Sequence, residues 1–99
     1  MEGVFRIGEG VTPPKLIMHV DPEYPEEARE ALTQGTVVVQ AIVQTDGALS
    51  IARVLQSVTP ELDRNAVLAM QQWRFEPGTW KGMPVPVEID VEASFKLKR

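Results

Sequence analysis

At 99 residues, 43% apolar and 24% charged, the chain supports one domain with one modest core and is too apolar to stay disordered. A net charge of −4, with its ten Lys and Arg scattered, argues against a nucleic-acid partner, and the lack of cysteine excludes disulfides, thiolate metal sites and thiol nucleophiles. No apolar run approaches the ~18 residues of a membrane span, and Met1-Glu2-Gly3 lacks the basic-then-apolar pattern of a signal peptide. Any export or anchoring segment is therefore expected outside this chain.

Residues 1–14 hold three Gly and two Pro with little periodicity, and read as a flexible tail or the end of a linker, leaving 15–99 as the domain. Lys15 to Val20 could form a short extended piece. Asp21-Pro22-Glu23-Tyr24-Pro25 stops any regular element, because the residue before each proline is pushed towards extended geometry. Pro25 suits the first position of a helix, and Glu26 and Glu27 suit the positive end of its dipole. Tyr24, Ala28, Ala31 and Leu32 form one apolar stripe, and Gly35 reads as the stop.

Thr36 to Thr45 is strand-like, with Val37, Val39, Ala41 and Val43 on one face. Asp46-Gly47 signals a hairpin, and Leu49 to Ser57 returns as the partner strand. Its facing is ambiguous, since Leu49, Ile51 and Leu55 share a side with Arg53. Thr59-Pro60-Glu61 opens a second helix whose buried stripe is Leu62, Ala66, Ala69, Met70 and Trp73, with Pro77 as its end. Gly78 to Pro84 reads as a loop.

From Val85 to Lys98 every odd position is apolar and every even one is Pro, Ser or a charge. Period two over that length predicts one long strand of roughly 40 Å, with one face in a core and one in water. A strand that long carries more backbone hydrogen-bonding groups than a small sheet uses, which points to binding a partner strand rather than to chemistry. The element order predicts an α+β fold, a three-stranded antiparallel sheet with two helices on one face.

Candidate catalytic groups are weak. His19, Asp21 and Glu23 alternate as metal ligands could, but Pro22 interrupts them, nothing supplies a second shell, and a solvated loop before the helix is much the stronger reading. The one histidine has no serine in an elbow-like glycine context for a triad. Glu88, Asp90 and Glu92 repeat at about 6.6 Å, a separation glycosidases use, yet the wet face of a small sheet offers no cleft to raise a carboxyl pKa. Trp73 and Phe75 read as core residues, whereas Trp80 suits core and recognition equally. No enzyme, metal or cofactor site is expected.

The chain resembles the C-terminal domain of TonB-type energy transducers. The resemblance rests on Pro22-Glu23-Tyr24-Pro25-Glu26-Glu27-Ala28, Gly35-Thr36-Val37-Val38-Val39, Asp46-Gly47, Leu62-Asp63 with Ala66, Trp73-Arg74-Phe75-Glu76-Pro77-Gly78, Gly82-Met83-Pro84-Val85, and the closing Phe95-Lys96-Leu97. These motifs follow family order and spacing over nearly everything from Pro22 onward.

The resemblance implies a periplasmic domain tied to the inner membrane by an anchor and a Pro-rich linker. The family couples the proton gradient, through ExbB and ExbD, to outer-membrane receptors that import iron chelates, vitamin B12 and similar cargo. Its C-terminal domain captures a short receptor peptide, the TonB box, as a strand beside its own last strand. Carried onto this chain, the partner-binding residues are Val87, Glu88, Ile89, Asp90, Val91, Glu92, Ala93, Ser94 and Phe95, with Pro22, Glu23, Tyr24 and Pro25 close to the receptor. Glu27 departs from the pattern, because well-known members carry a basic residue there. A homodimer through the last strand is a competing state. The alternative is a TonB-like domain of a membrane protease or sensor that binds cell-wall or signalling peptides.

Overall fold

Alternating valines make the centre of the molecule, since a strand that is apolar at every second residue can bury one face and wet the other. The computed structural model describes residues 3–8 and 10–97. In chain order the elements are β1 (Phe5–Arg6), β2 (Val11–Thr12), β3 (Lys15–Met18), α1 (Glu26–Glu30), β4 (Gly35–Val43), β5 (Leu49–Gln56), α2 (Pro60–Met70), β6 (Arg74–Glu76), β7 (Thr79–Trp80), β8 (Met83–Pro84) and β9 (Val87–Phe95).

The main sheet runs β1-β9-β4-β5. Strand β4 lies inside it, antiparallel to β9 over nine consecutive pairs from Gly35–Phe95 to Val43–Val87, and antiparallel to β5 on its other side. One face presents Val37, Val39, Ala41, Val43, Val91, Ala93 and Phe95, all buried. Leu62, Ala66 and Met70 of α2 close over that face, and Tyr24 and Ala28 pack against the same cluster. The expected core of three antiparallel strands with helices on one face is therefore present. Around it the structure adds three features that were not expected. Strand β1 extends the main sheet in parallel, β2-β7-β8 form a second small sheet, and β3-β6 form a third.

Several boundaries differ from expectation. Pro25 is the N-cap of α1 and lies just outside it, and the helix ends with Ala31 as C-cap. Gly35 does not stop it. The Leu32 and Thr33 amides bond back to the Arg29 and Ala28 carbonyls, and Leu32 takes the left-handed cap conformation at φ 58° where glycine is usual. Ala31 and Leu32 are consequently exposed instead of completing the apolar stripe.

Helix α2 begins as expected, with the Thr59 hydroxyl accepting from the Leu62 amide and Pro60 following, a cap worth about 1 kcal/mol. Asp63 adds to that terminus by accepting from the Val58 amide at 2.8 Å. The helix ends at Met70, well before Pro77. Trp73 is buried in the turn beyond it, where its indole N–H donates to the Val20 carbonyl at 2.8 Å, and Phe75 is buried in β6. Gly78 to Pro84 is a hairpin rather than a loop, with β7 and β8 joined through Lys81 and Gly82, both at positive φ.

The hairpin at Asp46-Gly47 is present. Its loop is Thr45-Asp46-Gly47, closed by the Gln44 amide on the Ala48 carbonyl at 2.8 Å. Gly47 sits at φ 88° and its carbonyl accepts from the Phe75 amide, so a Cβ there would come within 2.2 Å of the Phe75 carbonyl oxygen. Two bulges settle the ambiguous facing of β5. Ala41 pairs with Ile51 but Gln40 with Arg53, and Val39 pairs with Val54 but Val38 with Gln56. The unmatched Ala52 and Leu55 each flip the alternation, sending Arg53 to water and Val54 towards the core side.

Residues read as a tail also pair with the domain. Phe5 and Arg6 lie alongside Val87 and Glu88, and Val11 is buried where β2 meets β7. The last strand spans nine residues, not fourteen. The Val85 amide donates to the Gly78 carbonyl before it, and the Leu97 amide after it donates to the Gln34 side-chain carbonyl at 2.9 Å. Lys98 lies outside the described residues.

Candidate functional site

Which backbone groups of β9 face outward follows from two hydrogen bonds. The Phe5 amide donates to the Pro86 carbonyl at 2.8 Å, so even-numbered residues of this strand face away from β4. The Gln44 amide donates towards β5, which sends even residues of β4 to β5 and odd residues to β9. Both bonds assign Val87, Ile89, Val91, Ala93 and Phe95 to the β4 ladder. The pairing with β1 ends at Glu88. Among the described residues, the N–H and C=O groups of Asp90, Glu92 and Ser94 therefore have no strand beside them.

The side chains sort the same way. Val87, Val91, Ala93 and Phe95 are buried and Ile89 half-buried on the core face, while Glu88, Asp90, Glu92 and Ser94 stand on the wet face. Glu88 accepts from Gln40 Nε2 at 3.0 Å and lies 3.7 Å from Arg6, and Ser94 shares a hydrogen bond with Thr36 at 3.0 Å. Asp90 and Glu92 make no ion pair among the described residues.

The segment Pro22-Glu23-Tyr24-Pro25 meets this strand at its far end. The Tyr24 ring stands edge-on to Phe95 with centroids 5.3 Å apart, its hydroxyl donates to the Thr33 carbonyl, and Asn65 of α2 donates to the Glu23 carbonyl at 3.0 Å. The two groups of residues expected to meet a partner are thus joined at the Tyr24–Phe95 contact. His19 Nδ1 lies 3.4 Å from Asp21 and its ring 4.8 Å from Trp73, while Glu23 is engaged through its backbone carbonyl. Trp80 is partly exposed, between Phe5 at 5.5 Å and the Lys81 ammonium at 4.5 Å.

At the site itself, two features were not expected from the sequence. One is β1, for which the only signal was the brief alternation Phe5-Arg6-Ile7. The other is a cleft of about 800 Å³ beside the end of β9, lined by Tyr24, Arg29, Leu32, Gln34 and Leu97 among others. No periodicity predicts it, because one of its lining residues, Leu32, departs from helical spacing where it turns left-handed. Arg29 roofs it, with its guanidinium 5.8 Å from the Tyr24 ring.

The geometry defines a small α+β domain with a regular sheet edge open to an added strand. The family described as the C-terminal region of the Gram-negative bacterial TonB protein matches residues 20–97, and this chain belongs to that family. Protein TonB of Vibrio cholerae serotype O1 is 34% identical over 90 residues, covering 89% of this chain and 37% of that protein. Protein TonB of Pseudomonas aeruginosa is 33% identical over 79 residues, covering 79% of this chain and 23% of that protein. The chain thus spans between about a quarter and somewhat over a third of the length of these relatives. The solution structure of the Pseudomonas aeruginosa TonB C-terminal domain shares the fold, with a TM-score of 0.63 at 23% identity over 95% of this chain and 94% of that one.

Proposed function

We propose that this domain captures the TonB box of an outer-membrane receptor by adding it as a strand along β9, opposite Ile89 to Phe95. The observation that carries the reading is the outward row of unpaired backbone groups at Asp90, Glu92 and Ser94, on a strand held straight by nine unbroken pairs with β4. Backbone pairing tolerates varied peptide sequences, which suits a domain that serves several receptors, while neighbouring side chains add selectivity. Pro22 to Pro25 lies at the Phe95 end and serves as the second contact. The domain acts in the periplasm, tethered to the inner membrane by an anchor and linker outside these residues. There ExbB and ExbD couple it to the proton gradient and so to substrate import. Family membership supports this wider role.

Backbone chemical-shift mapping with TonB-box peptides from the same organism tests the reading. The Asp90, Glu92 and Ser94 amides are expected to show the largest changes, followed by those flanking Tyr24. Changes confined to β5 or α2 would move the site off β9.

A further inference from the structure

Part of the outer edge of β9 is already taken, and by this chain itself. Strand β1 lies parallel to the start of β9, with Phe5 in register with Val87 and Arg6 with Glu88. The outward groups of Glu88, next in line after those of Asp90, therefore face β1. The Phe5 ring rests on Trp80 with centroids 5.5 Å apart, and the Lys81 ammonium stands over the same indole at 4.5 Å. Trp80 is placed by β7, where it pairs with the buried Val11 on one side and with Met83 on the other. The seat thus belongs to the folded domain, whereas Phe5 reaches it from a short arm.

That arm is held lightly. Val4 and Ile7 remain exposed on either side of the pairing. The Arg6 side chain is 80% exposed, so its 3.7 Å approach to Glu88 contributes little. A cavity of about 520 Å³ lined by Val4, Phe5, Arg6, Val11 and Trp80 shows that the arm does not fill its groove. Gly8 at φ 109° and Gly10 at φ 86° turn the chain between the arm and β2, and a Cβ on Gly8 would meet nothing within 4 Å. The bend is therefore set by backbone torsion and not by packing. None of residues 3–7 belongs to the hydrophobic core, so the arm can leave β9 without opening the domain.

We infer that residues 3–7 are an internal competitor for the sheet edge, latched by Phe5 on Trp80. The arm limits a docked strand to the seven positions from Ile89 to Phe95, and it must leave before a longer strand can pair with Glu88. The inference rests on the strand-docking reading and adds a device that regulates it. Two strands cannot bond to the same outward groups of Glu88, so the arm and a long partner exclude each other. By linkage each weakens the other by the same factor. A short partner reaches no further than Ile89 and is indifferent to the arm.

Two peptides alternating valine and threonine, one of six residues and one of ten, test this against the parent chain and Phe5→Ala. The readouts are affinity, the Asp90, Glu92 and Ser94 amides, and the Phe5 amide with the Trp80 indole N–H. The short peptide is expected to bind both chains equally and to leave the Phe5 and Trp80 signals in place. The long peptide should move those signals in the parent chain and bind Phe5→Ala about two- to threefold tighter. The chain lacking residues 1–8 should behave as Phe5→Ala does. A long peptide that shifts the Asp90 amide but binds parent and variants equally would overturn the competitor and leave strand docking in place. Weaker binding to both variants would also overturn it, by making the arm part of the recognition surface. Peptides that leave the Asp90, Glu92 and Ser94 amides unmoved would overturn both readings. Phe5 and Trp80 signals that change with protein concentration in the absence of peptide would assign the arm to a second copy and overturn an internal competitor.

Discussion

The two edges of the main sheet are built from the same polymer and treated in opposite ways. Strand β5 is broken by bulges at Ala52 and Leu55, and its outer half points Arg53 and Gln56 into water. Bulges and charges on an edge strand are the usual devices against unwanted pairing. Strand β9 has no bulge along its nine pairs with β4, and among the described residues only its first two are covered, by β1. A regular edge left beside a disrupted one indicates where pairing is tolerated.

The largest expected effect should treat both edges alike. Trp73 and Phe75 support the sheet from beneath, so Trp73→Ala should cost about 3–5 kcal/mol in thermal or denaturant unfolding. Affinity per folded molecule should not change. A variant that melts as the parent does but no longer binds peptide would make Trp73 a recognition residue.

Proline separates the edges. Asp90→Pro or Glu92→Pro removes an outward N–H and leaves the apolar face intact, so the fold should survive while peptide affinity falls about tenfold, near 1.4 kcal/mol. Val54→Pro on the outer side of β5 should leave affinity unchanged. Equal losses on both edges, or none on either, would abolish the contrast between them.

A smaller effect is expected at Leu32, at the mouth of the cleft beside β9. Its left-handed conformation costs about 1–2 kcal/mol relative to glycine, and the side chain is 70% exposed. Leu32→Gly should therefore raise the melting temperature by several degrees. If the same variant also binds peptide less well, the docking site extends past Phe95 into the cleft. The smallest effect is expected from deleting residues 1–8, which uncovers Glu88 and should tighten binding of a long peptide about two- to threefold through one more ladder position. Weaker binding would make β1 part of the recognition surface.

Period-two patterning made the central strands legible, because a one-sided sheet forces it: Val37 to Val43 and Val87 to Phe95 read directly as inward and outward rows. Thr59-Pro60 likewise announced α2, since cap chemistry is local. What failed depended on contacts distant in sequence. Leu32 satisfies helical spacing but leaves the helix because the chain must turn back into β4. Trp73 fits the helical stripe by count, yet it is buried by its bond to Val20, 53 residues away. The bulges of β5 are set by pairing with β4, and nothing within Leu49 to Ser57 marks Ala52 or Leu55. The outward direction of the even residues of β9 could not be read at all, because it depends on which neighbour occupies each side.

The parallel course of β1 has a mechanical consequence. Tension applied at Gly3 first meets the two-pair contact of β1 with β9, then the short β2–β7 and β3–β6 pairings, before it reaches the nine-pair ladder of β9 with β4. The β1 contact should rupture first, adding Glu88 to the exposed row while the rest of the domain remains loaded and folded. In a single-molecule pulling experiment this would register as a small extension at low force, well separated from unfolding, and its absence would mean that β1 is held as firmly as the sheet it borders.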